Sequence, residues 1–149
     1  MIKIQNYIDG VLIDPVSDLY IDNINPATGE VYSHIPDSDE RDVEKAVAAA
    51  TASFPAWSAM LVDKRSELLL KIAALLNKNL EELALAESID QGKPLWLSKS
   101  VDIPRAAANF HFYATGAIHL STEAHITGNE AVNYTIRQPI GIEIGRAHV

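Results

Sequence analysis

The stretch "SDERDVEKAVAAATASF", Ser38–Phe54, is where the chain changes period. It opens on an N-capping residue and an acidic first turn, which suits the positive end of a helix dipole. Val43, Val47, Ala50 and Phe54 then recur on one helical face. Pro55 is predicted to end this helix. Everything before Ser38 reads in short apolar runs instead, so the chain combines strands with helices.

Upstream, "QNYIDGVLI" places two apolar runs around Asp9-Gly10, a pair that tolerates positive φ at both turn positions and so predicts a hairpin. "LYIDNI" and "VYSHI" flank "NPATGE", where Pro26 fixes φ and Gly29 supplies a left-handed position. This is strand, turn, strand.

Downstream, a second helix is expected over Asp63–Asn77, with Leu68, Leu69, Ile72, Leu75 and Leu76 in a wide apolar stripe. A third runs over Leu80–Asp90, with Leu83, Ala86 and Ile89 inward and Gly92 near its C-terminal end. "DIPRAAANFHFYATGAIHL" continues helical, Pro104 marking a first turn or a kink. After Gly116 the text is polar and turn-like, and "VNYTIRQPIGI" returns to strand. Strands, a helical middle and a late strand make an α/β or α+β chain without a visible domain boundary.

Composition narrows the classes of function. Of 149 residues, 48% are hydrophobic and 21% charged, a globular balance. Twenty acids against twelve bases leave a net charge of −8, which argues against nucleic acid or an anionic membrane as partner. The most apolar run, "LLLKIAALL", is short and interrupted by Lys71, whereas a bilayer span takes about 20 apolar residues. "MIKIQNYIDG" has no basic segment leading into an apolar one, so a cytoplasmic location is expected. There is no cysteine, which excludes disulfides, Cys-ligated zinc and a thiol nucleophile within these residues.

The motifs that carry chemistry are weak one by one. His34, His111, His119, His125 and His148 include no pair at H-x-x-x-H spacing, so they read as ordinary histidines rather than metal ligands. "GIEIG" lacks the G-x-G-x-x-G spacing of a dinucleotide loop and no helix follows it. "DQGKP" lacks the glycines of a phosphate loop, and no serine stands in G-x-S-x-G.

Their order says more. "NYIDG", "NPATGE", "ERDVEKAVAAATASFPAWS", "KRSELLLKIAALL", "ESIDQGKP", "VDIPRAAANFHFYA" and "YTIRQPIGI", taken in sequence over residues 6–142, resemble the N-terminal part of the aldehyde dehydrogenase superfamily. The resemblance implies the opening portion of that fold, truncated before the catalytic domain. It implies oxidation of a small-molecule aldehyde to the acid with NAD or NADP: a cysteine thiolate attacks the carbonyl, hydride passes to nicotinamide, and a glutamate activates water. In the family these catalytic and cofactor-contacting residues fall beyond residue 142, so none is expected here. A homo-oligomer, dimer or tetramer, is implied for the full-length enzyme.

After "PIGI" the family continues with apolar residues and then Pro-Trp-Asn, whereas this chain turns to "EIGRAHV". "IGRAHV" is what a common sequencing-adapter DNA encodes in one frame. Residues 143–149 are therefore read as a non-native tail and residues 1–142 as an incomplete cofactor-binding and oligomerisation region; a genuine divergent C-terminus is the alternative.

"FPAWS", "AESIDQGK", "DIPRAAANFHFYA" and "YTIRQPIG" are most similar to the aminomuconate and hydroxymuconate semialdehyde dehydrogenases, which act on carboxylate-bearing semialdehydes in aromatic degradation. Betaine, succinate semialdehyde and broad-range aldehyde dehydrogenases share much of the scaffold. A non-catalytic helical interaction domain is the alternative of another class. The resemblance further implies a Na⁺ or K⁺ held by carbonyl oxygens at Asn23 and Ile24 and the carboxylate of Asp90, an oxygen set suited to a hard cation. Asp90 serving only to brace the turn before Gly92 remains open. Arg105 is the implied substrate-binding residue. A guanidinium among Val101, Ala108 and Phe112 at helical spacing is costly unless an anion meets it, and its planar fork suits a carboxylate. It could instead reach solvent or pair with Asp102 or with an acid across a subunit interface.

Overall fold

A computed structural model describes residues 1–145; residues 146–149, the last four of the suspected tail and including His148, lie outside the described residues. The expected hairpin is formed by β2 (Asn6–Ile8) and β3 (Val11–Ile13), antiparallel with Ile8 opposite Val11. Asp9 and Gly10 both take positive φ, 52° and 80°, as a two-residue turn between right-twisted strands requires. β4 (Tyr20–Ile24) and β5 (Val31–Pro36) pair antiparallel across "NPATGE". Gly29 takes φ 74° in that turn. The register slips between Asn23 and Ile24, which pair with Ser33 and Val31, so Tyr32 is the extra residue of a bulge in β5. The N-terminal β1 (Ile2–Lys3) adds parallel to the other edge of β5, giving the order β1-β5-β4.

Helix α1 (Glu40–Ala59) starts at Asp39. Its carboxylate accepts from the Arg41 amide, while Asp42 reaches back to the Asp39 amide in a capping box. Ser38 sits one residue outside and bonds Asn6 of the hairpin at 2.8 Å. Asp42 is 3% exposed and also takes the Val16 amide at 3.1 Å, tying the loop before β4 to the helix. The helix does not stop at Pro55, contrary to the sequence reading. Proline removes one i→i−4 bond, yet the turns on either side are intact, and the Arg65 guanidinium from the next helix bonds the carbonyls of Trp57 and Met60 at the helix end.

Helices α2 (Val62–Lys78) and α3 (Leu80–Gln91) agree with expectation, and Gly92 caps α3 in the left-handed conformation, φ 68°. A Cβ at Gly92 would lie 2.9 Å from Pro26 Cβ and 3.1 Å from the Ala27 amide, so the β4–β5 turn packs directly against the end of α3. After the short α4 (Leu95–Leu97), Ser98–Asp102 form a π-helical turn leading into α5 (Ile103–Ile118). The wide turn ends just before Pro104. A proline there has no amide to donate and crowds the carbonyl four residues back, and an i→i+5 turn relieves both. Pro104 thus stands in the first turn of α5.

α2 and α5 form the most extensive helix pair. Small residues meet at the crossing: Ala73, Ala107 and Ala114 are buried, and the Ser66 hydroxyl donates to the Ala114 carbonyl at 2.8 Å. The larger apolar residues lie outside this seam. Val43 and Val47 of α1, and Leu68, Ile72 and Leu75 of the predicted α2 stripe, are exposed among the described residues. Leu83 and Ile89 are half-buried and, with Ala86, line an open groove facing the sheet.

The C-terminal region departs furthest from expectation. α5 runs through Gly116 to Ile118, because packing on α2 outweighs the cost of glycine, about 1 kcal/mol. The polar segment after it contains β6 (Ala124–Thr127), which pairs antiparallel with β7 (Ala131–Tyr134). The predicted strand through Ile142 ends at Tyr134. Strand character needs a partner ladder, and among the described residues β6 is the only one offered to β7. Ile136 and Ile140 remain exposed. No helix among the described residues is long and apolar enough to cross a membrane.

Candidate functional site

Two polar clusters flank the C-terminal end of α3. The first joins that end to the sheet. Tyr32 of β5 donates its hydroxyl to Asp90 Oδ1 at 2.5 Å. Asn23 of β4 donates Nδ2 to the Tyr32 hydroxyl at 2.8 Å and to Asp90 Oδ1 at 3.0 Å. Gln91 Nε2 serves Asp90 Oδ2 at 3.1 Å. A carboxylate at a helix C-terminus faces the negative end of the dipole, which disfavours it. These donors compensate: the Tyr32 hydroxyl foremost, then Asn23, hold the Asp90 carboxyl below the usual aspartate value, and the same bond raises the Tyr32 phenol above its ordinary one. The bulge in β5 places the extra residue, Tyr32, opposite Asn23 and Ile24, so the ladder is interrupted beside the two carbonyls expected to act as ligands.

Between the sheet and α3 lies an open groove of about 570 Å³, lined by Ile2, Ile4, Leu76, Leu83 and Ile89, with Tyr32, Glu87 and Asp90 as polar members. Ser33, fully buried at its wall, has no hydrogen-bond partner for its hydroxyl.

The second cluster joins α3 to the π-helical turn. Lys93 Nζ lies 2.7 Å from Glu87 Oε1 and 2.8 Å from Asp102 Oδ2. Asp102, then Glu87, hold the Lys93 ammonium above its ordinary pKa. A further ion pair, Lys99 with Glu81, closes the same junction. Arg105 follows Asp102 by one helical step on α5. Its side chain is 70% exposed, and Nη2 stands 3.7 Å from Asp102 Oδ1, an ion pair without hydrogen-bond contact. Val101, Ala108 and Phe112 on the same face are exposed as well.

The structure thus brings Asn23 and Asp90 into contact, with Ile24 beside them, and sets Arg105 in the separate α5 cluster. Sequence reasoning missed Tyr32 and Lys93. Tyr32 left no signal, being one aromatic in an alternating strand. Lys93 stood in the quoted "DQGKP", but its carboxylate partners lie six residues back and nine ahead, a pairing only the turn at Gly92 creates.

Compared with known proteins, residues 13–145 match the aldehyde dehydrogenase family. The chain is 43% identical over 143 residues to 2-aminomuconic semialdehyde dehydrogenase of Bos taurus, covering 95% of this chain and 29% of that one. It is 34% identical over 147 residues to 2-hydroxymuconic semialdehyde dehydrogenase of Pseudomonas sp. strain CF600, covering 95% and 30%. The crystal structure of an NAD-dependent aldehyde dehydrogenase from Sinorhizobium meliloti superposes with a TM-score of 0.80 at 35% identity, covering 87% of this chain and 26% of that one. The chain therefore spans less than a third of the length of these relatives and carries part of their α/β fold.

Proposed function

Because the chain belongs to the aldehyde dehydrogenase family, we propose that it forms part of an NAD-dependent enzyme oxidising a carboxylate-bearing semialdehyde, of the 2-aminomuconate or 2-hydroxymuconate type, to the acid. The observation that carries the substrate reading is Arg105. It presents a 70% exposed guanidinium on a helix face of Val101, Ala108 and Phe112, with its nearest acid held at 3.7 Å. An exposed fork of donors without a protein hydrogen-bond partner among the described residues suits an anion that arrives with the substrate. The names of the relatives from Bos taurus and Pseudomonas sp. strain CF600 support the same class.

The test is Arg105→Ala in a full-length relative carrying the "VDIPRAA" segment. KM for the carboxylated semialdehyde should rise at least about tenfold while benzaldehyde is nearly unaffected, the scale of one lost charged contact. Equal effects on both substrates would make Arg105 structural.

The reacting groups come from outside these residues in this reading. The 149 residues hold no cysteine, so no thiolate can attack the carbonyl, and no turnover is assigned to them alone. Bound NAD, or NADP in the variant reading, would accept the hydride. The pyrophosphate loop would come from outside these residues: "GIEIG" lies in irregular backbone without a helix N-terminus to receive a pyrophosphate.

A Na⁺ or K⁺ would be held at the first cluster by the main-chain oxygens of Asn23 and Ile24 and by Asp90. The carboxylate is ionised at neutral pH, it faces an unfavourable helix end that a cation would relieve, and the bulge interrupts the ladder at those carbonyls. The proposed whole is a cytoplasmic homo-oligomer, to which residues 1–142 contribute part of the cofactor-binding and oligomerisation region.

A further inference from the structure

Resting on the assignment of Arg105 to the substrate carboxylate, we propose that Lys93 is a positioning residue for substrate selectivity: by holding Asp102 it keeps Arg105 free for the anion. Asp102 has two carboxylate oxygens and two cationic neighbours. Oδ2 is taken by Lys93 Nζ at 2.8 Å, and Oδ1 faces Arg105 Nη2 at 3.7 Å, too far for a hydrogen bond. The environments differ in the same sense. The side chains of Lys93 and Asp102 are 24% and 19% exposed, whereas Arg105 is 70% exposed. Asp102 is thus satisfied on its inner side and only grazes the arginine on its outer side.

Several features fix Lys93 in that role. Gly92 turns the chain in the left-handed conformation at the end of α3, and the Ser88 hydroxyl holds the Lys93 carbonyl at 2.6 Å. Pro94 restricts the residue before it. Glu87 takes a second ammonium proton at 2.7 Å, so the side chain is anchored from both α3 and the π-helical turn. The raised pKa of the ammonium keeps it charged throughout the working range.

The four groups Glu87, Lys93, Asp102 and Arg105 balance in charge. Without the ammonium, Asp102 would be left with Arg105 as its remaining ion-pair partner. Asp102 is one helical step away, and a contraction of under about 1 Å would bring the pair into hydrogen-bond range. An arginine closed onto Asp102 must break that bond before it can bind a substrate carboxylate, so KM for the anionic substrate rises and turnover of a neutral aldehyde does not change.

The experiment uses a full-length family member carrying both the "DQGKP" and "VDIPRAA" segments, assayed with a carboxylated semialdehyde and with benzaldehyde. Lys93→Met should raise KM for the carboxylated substrate by about tenfold with kcat little changed, and leave benzaldehyde within about twofold. Lys93→Arg should retain wild-type selectivity. Adding Asp102→Asn to Lys93→Met should restore KM, because the competing carboxylate is gone. Asp102→Asn alone breaks the same Lys93–Asp102 tie yet should lower KM for the carboxylated substrate, and it keeps the test decisive where Lys93→Met melts too low to assay. Equal impairment of both substrates by Asp102→Asn, or no restoration in the double variant, would reduce the cluster to a brace and overturn the proposal. Arg105→Ala is run beside them. If it does not separate the two substrates, the substrate assignment fails and this proposal with it; if it does and Lys93→Met does not, the proposal alone fails.

Discussion

Replacing Tyr32 by phenylalanine tests how α3 is docked on the sheet. The hydroxyl donates to Asp90 at 2.5 Å and accepts from Asn23 at 2.8 Å, and its removal leaves the ring and the Asn23–Asp90 bond of 3.0 Å in place. A hydrogen bond to a charged group contributes roughly 1.5–3 kcal/mol, and solvent access to Asp90 puts this one at the lower end, about 1.5 kcal/mol. For a chain of this size each kcal/mol moves the melting temperature by roughly 2–4 °C, so Tyr32→Phe should melt about 3–6 °C below wild type. Its pH dependence is specific. Folding holds the Asp90 carboxyl below its ordinary 3.8, so this contribution is complete above that value and is lost as pH falls through the lower folded value. Folding raises the Tyr32 phenol above 10.0, so the contribution is complete below that value and is lost as pH rises through the higher folded one. The difference in urea midpoint between Tyr32→Phe and wild type should therefore be level through neutral pH and narrow at both extremes. A difference that is absent at neutral pH, or one that persists unchanged into acid, would refute the docking role of this bond.

Gly92→Ala should destabilise the chain by at least about 2 kcal/mol in urea denaturation, since a left-handed non-glycine residue alone costs about 1–2 kcal/mol and the added Cβ also meets Pro26; a change below about 0.5 kcal/mol would mean that the turn moves away freely. In a full-length relative with the same segments, Asp90→Ala should abolish any K⁺ dependence of the melting temperature, and an unchanged dependence would rule out the cation site.

Local chemistry made much of the chain legible. The Asp9-Gly10 hairpin, the "NPATGE" turn, the ends of α2 and α3 and the left-handed Gly92 all follow from turn residues and period, because each depends on neighbours within a few positions. The ordered motifs identified the family, and "DQGKP" and "VDIPRAA" pointed to Asp90 and Arg105. Tertiary structure decided the rest. α1 passes through Pro55 because Arg65 of another helix bonds its last carbonyls, and α5 passes through Gly116 because α2 packs along it. The strand predicted through Ile142 stops at Tyr134 because a strand exists only against a partner, and period says nothing about whether one is present. Tyr32 meets Asp90 across 58 positions, and Lys93 reaches Glu87 and Asp102 only because Gly92 turns the chain back on itself. Residue type and spacing can nominate a charged side chain, but which of its neighbours it touches is set by how helices and sheet are brought together.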